Sequence, residues 1–188
     1  MLHYFLTLIL LLAISTEVFA VVFLNGFIRE MKTARQISAA LIISFINALM
    51  GLLGFFTGLG LNLLLENLTE WLSVVIILML GLKIMIKSFK PKFHEMTWEL
   101  QRFTLIAVFS AATGINSYLA GIAISSFKVT GLSVFILILS AYFLAAALGM
   151  MLGKISKNFF VASRSGIAAG VILIGISVIY SLFLFGII

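Results

Sequence analysis

The apolar and polar positions follow a coarse rhythm, long apolar runs separated by short polar stretches. A hydrocarbon core of about 30 Å takes about 20 apolar residues in a helix. Six runs of that size stand in the chain, at 3–24, 37–59, 71–89, 103–127, 131–152 and 166–187. The predicted fold class is therefore an all-α integral membrane protein with six transmembrane helices.

Composition agrees. Of 188 residues, 63% are hydrophobic and 10% charged, and the mean hydropathy is +1.30, whereas soluble domains are about half apolar and a quarter charged. No Pro/Gly/Ser-rich linker interrupts the chain, so no extramembrane domain is expected. Cysteine is absent, which excludes disulfides and thiolate metal sites and leaves oxygen and nitrogen as metal ligands.

The net charge of +6 reflects topology and not nucleic-acid binding, because the basic residues sit in loops and form no stripe on one face. Arg29, Lys32 and Arg35 lie in one loop, Lys87, Lys90, Lys92 and Arg102 in another, and Lys154, Lys157 and Arg164 in a third. Residues 60–70 carry Glu66 and Glu70 without Lys or Arg, and the 128–130 turn carries only Lys128. The positive-inside rule then predicts that loops 25–36, 88–102 and 153–165 are cytoplasmic and both termini outside. Residues 1–20 end in Val18-Phe19-Ala20 and superficially fit a signal peptide. They lack a basic n-region, Glu17 interrupts the cleavage region, and the apolar run continues through Leu24. The stretch reads as helix 1.

An internal repeat is visible. Leu53-Gly54-Phe55-Phe56-Thr57-Gly58 is echoed by Leu148-Gly149-Met150-Met151-Leu152-Gly153, and Gly81 aligns with Gly175 at nearly the same offset. The halves are residues 1–89 and 103–188, joined by a cytoplasmic loop at 90–102. Three helices per half is an odd number, so the second half enters the membrane from the opposite side. Such inverted repeats are common in transporters that bind substrate near the midplane. The Gly pairs also suit close helix packing.

Charge within hydrocarbon costs ~2.5–3.5 kcal/mol even on lenient scales. Glu17 lies about 12 Å deep at 1.5 Å per residue, near the midplane. Lys83 is closer to the end of its helix, where its stem allows snorkelling, and it is a possible charge partner for Glu17. Asn47, Asn116 and Tyr142 fall at the depth of Glu17, with Glu17 aligned to Asn116 and Asn47 to Tyr142. Ser15, Ser44, Thr113 and Ser117 add oxygens, although Ser and Thr often bond their own helix backbone. Glu17 is the leading functional candidate, since an intramembrane carboxylate marks a site by default. His3 and His94 lie outside the spans, the chain has no Asp, and no nucleophile stands with a base, so an enzyme is not expected. The segment Phe93, His94, Glu95, Met96 and Trp98 reads as an interfacial anchor.

Ser15-Thr16-Glu17-Val18-Phe19-Ala20, Leu80-Gly81-Leu82-Lys83-Ile84-Met85-Ile86, Leu148-Gly149-Met150-Met151-Leu152-Gly153 and Gly170-Val171-Ile172-Leu173-Ile174-Gly175-Ile176 together resemble the bacterial manganese efflux pump family of the MntP type. That family is similar to the lysine-exporter-like transporter superfamily. The resemblance implies a multi-pass protein of the bacterial inner membrane that exports a cation, Mn²⁺, by proton-coupled alternating access, with no cofactor and with the lipid bilayer and the ion as its partners. It implies ion ligation by Glu17, Asn47 and Asn116. The family pattern has Asp in helices 1 and 4, where this chain has Glu17 and Asn116. One carboxylate has thus become an amide, which still offers an oxygen to manganese. Two rival readings follow from the lost charge: export of a monovalent cation or a small organic solute such as an amino acid, and a non-transporting membrane subunit that has lost the site.

Overall fold

The computed structural model describes residues 2–28, 33–65, 68–89, 102–127, 129–155 and 160–184. They form six helices: α1 (Leu2–Ile28), α2 (Thr33–Leu65), α3 (Leu68–Phe89), α4 (Phe103–Ile124), α5 (Gly131–Ile155) and α6 (Phe160–Leu184). Each is long and apolar enough to cross a membrane, and the described residues contain no strand. The molecule is a multi-pass membrane protein. The helices outrun the apolar spans where polar residues extend them. Thr33, Arg35 and Gln36 open α2, and Ser163, Arg164 and Ser165 lie inside α6. The predicted loops are correspondingly shorter. Helix α4 ends earlier than its apolar run, at Ile124, in a turn whose Ser125 N–H bonds the carbonyls of Gly121 and Ile122. Glu66, Lys90, Lys92, His94, Trp98 and Lys128 lie outside the described residues.

Two close contacts set the architecture. A Cβ added to Gly54 of α2 would stand 2.0 Å from the Tyr118 carbonyl oxygen of α4, and one at Gly58 would stand 2.8 Å from that of Ile122. On the other side, a Cβ at Gly149 of α5 would stand 2.9 Å from the Phe19 oxygen of α1, and one at Gly153 would stand 2.1 Å from that of Phe23. Such backbone-to-backbone approach is available only to residues without side chains. Residue numbers rise together across both contacts, so α2 runs parallel to α4 and α1 parallel to α5. Helices α3 and α6 pack antiparallel, with Ser88 against Gly166 and Gly81 against Gly170. Gly175, aligned in sequence with Gly81, borders open space, and a Cβ added there would meet nothing within 4 Å.

The core is a continuous apolar cluster that includes Leu10, Leu11, Ile14, Ile43, Ile77, Leu80, Ile106, Ile138 and Leu173. Large apolar side chains also cover the outside, among them Phe45, Leu53, Phe56, Met79, Ile136 and Val178. A soluble protein rarely exposes apolar surface so widely; in lipid those side chains meet a matching solvent.

Candidate ion site

Two polar networks cross the middle of the bundle side by side, both anchored on α4. That helix carries Thr113, Asn116 and Ser117, all buried, at spacings of three and four that put them on one face.

The first network is charged. Glu17 of α1 accepts a hydrogen bond from Asn116 Nδ2 at one oxygen and from Lys87 Nζ at the other. Asn116 Oδ1 in turn accepts from Lys83 Nζ at 2.6 Å. The donor inventory fixes the amide orientation, because only the Nδ2 group can donate to a carboxylate and only Oδ1 can accept from an ammonium. The order Lys87, Glu17, Asn116, Lys83 thus joins α3, α1, α4 and α3 again. The two lysines are one helical turn apart on α3, so they reach the pair from one face. The Glu17 side chain retains 10% exposure and that of Lys87 47%.

Lysine positions differ from the sequence reading. Lys83 is exposed, and its ammonium donates to the Asn116 amide oxygen. The ion-pair partner of Glu17 is Lys87, which charge distribution assigns to a loop but which lies inside α3. Side chains on a helix lean toward its N-terminus. Lys87, two residues before the end of α3, therefore points back into the bundle. The i, i+4 spacing of Lys83 and Lys87 is the signal that bears on this arrangement.

The second network is uncharged and buried. Asn47 of α2 donates through Nδ2 to the Ile43 carbonyl at 2.8 Å and to Thr113 Oγ1 at 3.2 Å. Ser117 Oγ lies 2.7 Å from both Asn47 Oδ1 and the Tyr142 hydroxyl of α5. A serine has one proton and Asn47 Oδ1 can only accept, so Ser117 donates to Asn47 and Tyr142 donates to Ser117. Among the described residues no hydrogen bond joins Asn47 to Glu17. Ser15 and Ser44 enter neither network; their hydroxyls bond the carbonyls of Leu12 and Leu41 one turn back. Among the described residues no three His, Cys, Asp or Glu side chains gather, and Glu17 is the carboxylate in the hydrogen bonds described above.

The family model described as "Putative manganese efflux pump" matches residues 30–180. The chain belongs to the MntP family. Proteins named as putative manganese efflux pump MntP resemble it along most of its length. The one from Crocosphaera subtropica is 28% identical over 79% of this chain and 80% of its own. That from Paraburkholderia phytofirmans is 29% identical over 90% of each, and that from Ruminiclostridium cellulolyticum 27% identical over 92% of this chain and 93% of its own. No solved structure matches. MntP membership and six membrane-length helices make the chain a membrane transporter of the efflux-pump type.

Proposed function

We propose that this MntP-family chain exports manganese(II) from the bacterial cytoplasm across the inner membrane, and that Glu17 takes the ion. The observation that carries this reading is one carboxylate held among the helices of the bundle, hydrogen-bonded to an amide whose oxygen, held by Lys83 in this structure, becomes a second ligand once Lys83 and the amide turn. Manganese prefers carboxylate, carbonyl and water oxygens, and Glu17 with Asn116 supplies the first two kinds. Asn47, Thr113, Ser117 and Tyr142 form the wall beside the ion and hold α2, α4 and α5 in register.

Transport proceeds by alternating access between two inverted halves, residues 1–89 and 103–188. Support comes from the equivalent packing of α2 on α4 and of α5 on α1, each through a glycine pair facing two carbonyls. Access from each side in turn is the motion such repeats support. A proton taken by Glu17 on the outer side releases the ion, which makes the cycle an antiport. Loops 25–36, 88–102 and 153–165 are cytoplasmic and the termini outside, by the distribution of Lys and Arg.

In a strain lacking its own manganese exporter, the wild-type chain should restore growth in manganese and lower cell manganese, and Glu17→Gln should do neither. Equal rescue by the variant would remove Glu17 from the account. A second reading is favoured by one specific feature: a single carboxylate beside two lysines offers less charge than a divalent ion asks for. On it the cargo is a monovalent cation or a small organic solute, and the wild-type chain would leave cell manganese unchanged.

A further inference from the structure

Both Glu17 oxygens and the Asn116 oxygen are occupied. One carboxylate oxygen accepts from Lys87, the other from Asn116, and Asn116 Oδ1 from Lys83. Each of the three side-chain oxygens on Glu17 and Asn116 that could ligate an ion already holds a proton donor, and the group of Glu17, Lys83 and Lys87 carries a net charge of +1 by formal count. An arriving cation meets a site that is filled by the protein's own ammonium and amide donors.

We propose that Lys87 is a tethered competitor of the cargo: it occupies the ion's place on Glu17 and must swing away for the ion to bind, so it sets the concentration at which export begins. This rests on the reading that Glu17 takes the ion. Three observations support it. Lys87 stands two residues before the end of α3, its side chain is 47% exposed, and among the described contacts its ammonium pairs with Glu17, so withdrawal breaks one ion pair. A small cavity of about 20 Å³, lined among others by Thr16, Glu17, Ile84, Lys87 and Ser88, borders this pair. An ion pair with one partner half-exposed is weak enough to be displaced.

Competition has a sign that a supporting role lacks. Where a ligand-competent form is only a fraction of the whole, apparent affinity falls by that fraction. Removing Lys87 should therefore tighten cargo binding, while removing a prop should loosen it. The test uses the full chain in proteoliposomes, with manganese(II) flux measured against its concentration for wild type, Lys87→Met, Lys87→Arg and Glu17→Gln. Lys87→Met should lower the apparent KM by about two- to sixfold, and Lys87→Arg, which pairs with carboxylate in two-pronged fashion, should raise it. An unchanged or higher KM in Lys87→Met overturns the proposal. If Lys87→Met is inactive, thermal unfolding in detergent and the KM of Lys87→Arg decide: a KM for the arginine variant at or below wild type overturns the proposal as well. Failure of the underlying reading looks different, since Glu17→Gln would then carry manganese as wild type does, or wild type would carry none.

Discussion

Asn116 concentrates what separates this chain from a two-carboxylate site. Its amide donates a hydrogen bond to Glu17 and accepts one from Lys83, so Asn116→Asp would place a second negative charge against the first with Lys83 and Lys87 both at hand to balance it. Manganese affinity should rise by about tenfold, the equivalent of ~1.4 kcal/mol, read from the KM of flux in vesicles; a fall would mean that charge is not what limits the site. Ser117→Ala should act on stability. It removes the donor to Asn47 Oδ1 and the acceptor for Tyr142, leaving a buried amide oxygen unsatisfied at a cost of about 1–3 kcal/mol. Thermal unfolding in detergent should show the loss. The sequence displayed Glu17 and Asn116 because charge and amide stand out in an apolar run. It did not display Lys87 as the partner, since a lysine near a helix end is equally suited to the lipid headgroups and only side-chain direction separates the two.

At the scale of elements, the helices were legible because hydrocarbon imposes a length and excludes charge. Their ends were not, because polar residues such as Thr33, Arg35 and Arg164 continue a helix beyond the apolar span at no cost in water. The glycine pairs were legible as packing motifs, but their partners were not: nothing in Gly149 or Gly153 names Phe19 and Phe23. Gly153→Val tests the contact. Its Cβ would lie 2.1 Å from the Phe23 carbonyl oxygen, so α1 and α5 must separate, at a cost of about 1–3 kcal/mol as for overpacked cores. The expected outcome is a lower unfolding temperature in detergent. Gly175→Ala, where the space is open, should leave it nearly unchanged.

The whole molecule is a small bundle in which α1 and α5 run parallel, α2 and α4 run parallel, and a charged link from α3 closes on Glu17. The proposed orientation rests on charge placement alone, and the chain's lack of cysteine makes it simple to test. A single cysteine at Lys154 should react with an impermeant maleimide only from the cytoplasmic face, and one at Glu70 only from outside; the reverse pattern would invert the proposed direction of export. Family membership was legible early and cargo was not, since packing motifs run along the whole chain while the proposed ion site has one carboxylate. The most direct measurement is manganese(II) flux through the purified chain in proteoliposomes, with wild type beside Glu17→Gln. An ion held by a desolvated carboxylate loses at least about 2 kcal/mol when that charge is removed, so the variant should lose roughly 30-fold or more in kcat/KM, whereas the half-exposed pair with Lys87 adds little to stability and the unfolding temperature should stay near that of wild type. Manganese flux through Glu17→Gln equal to that of wild type would contradict the account.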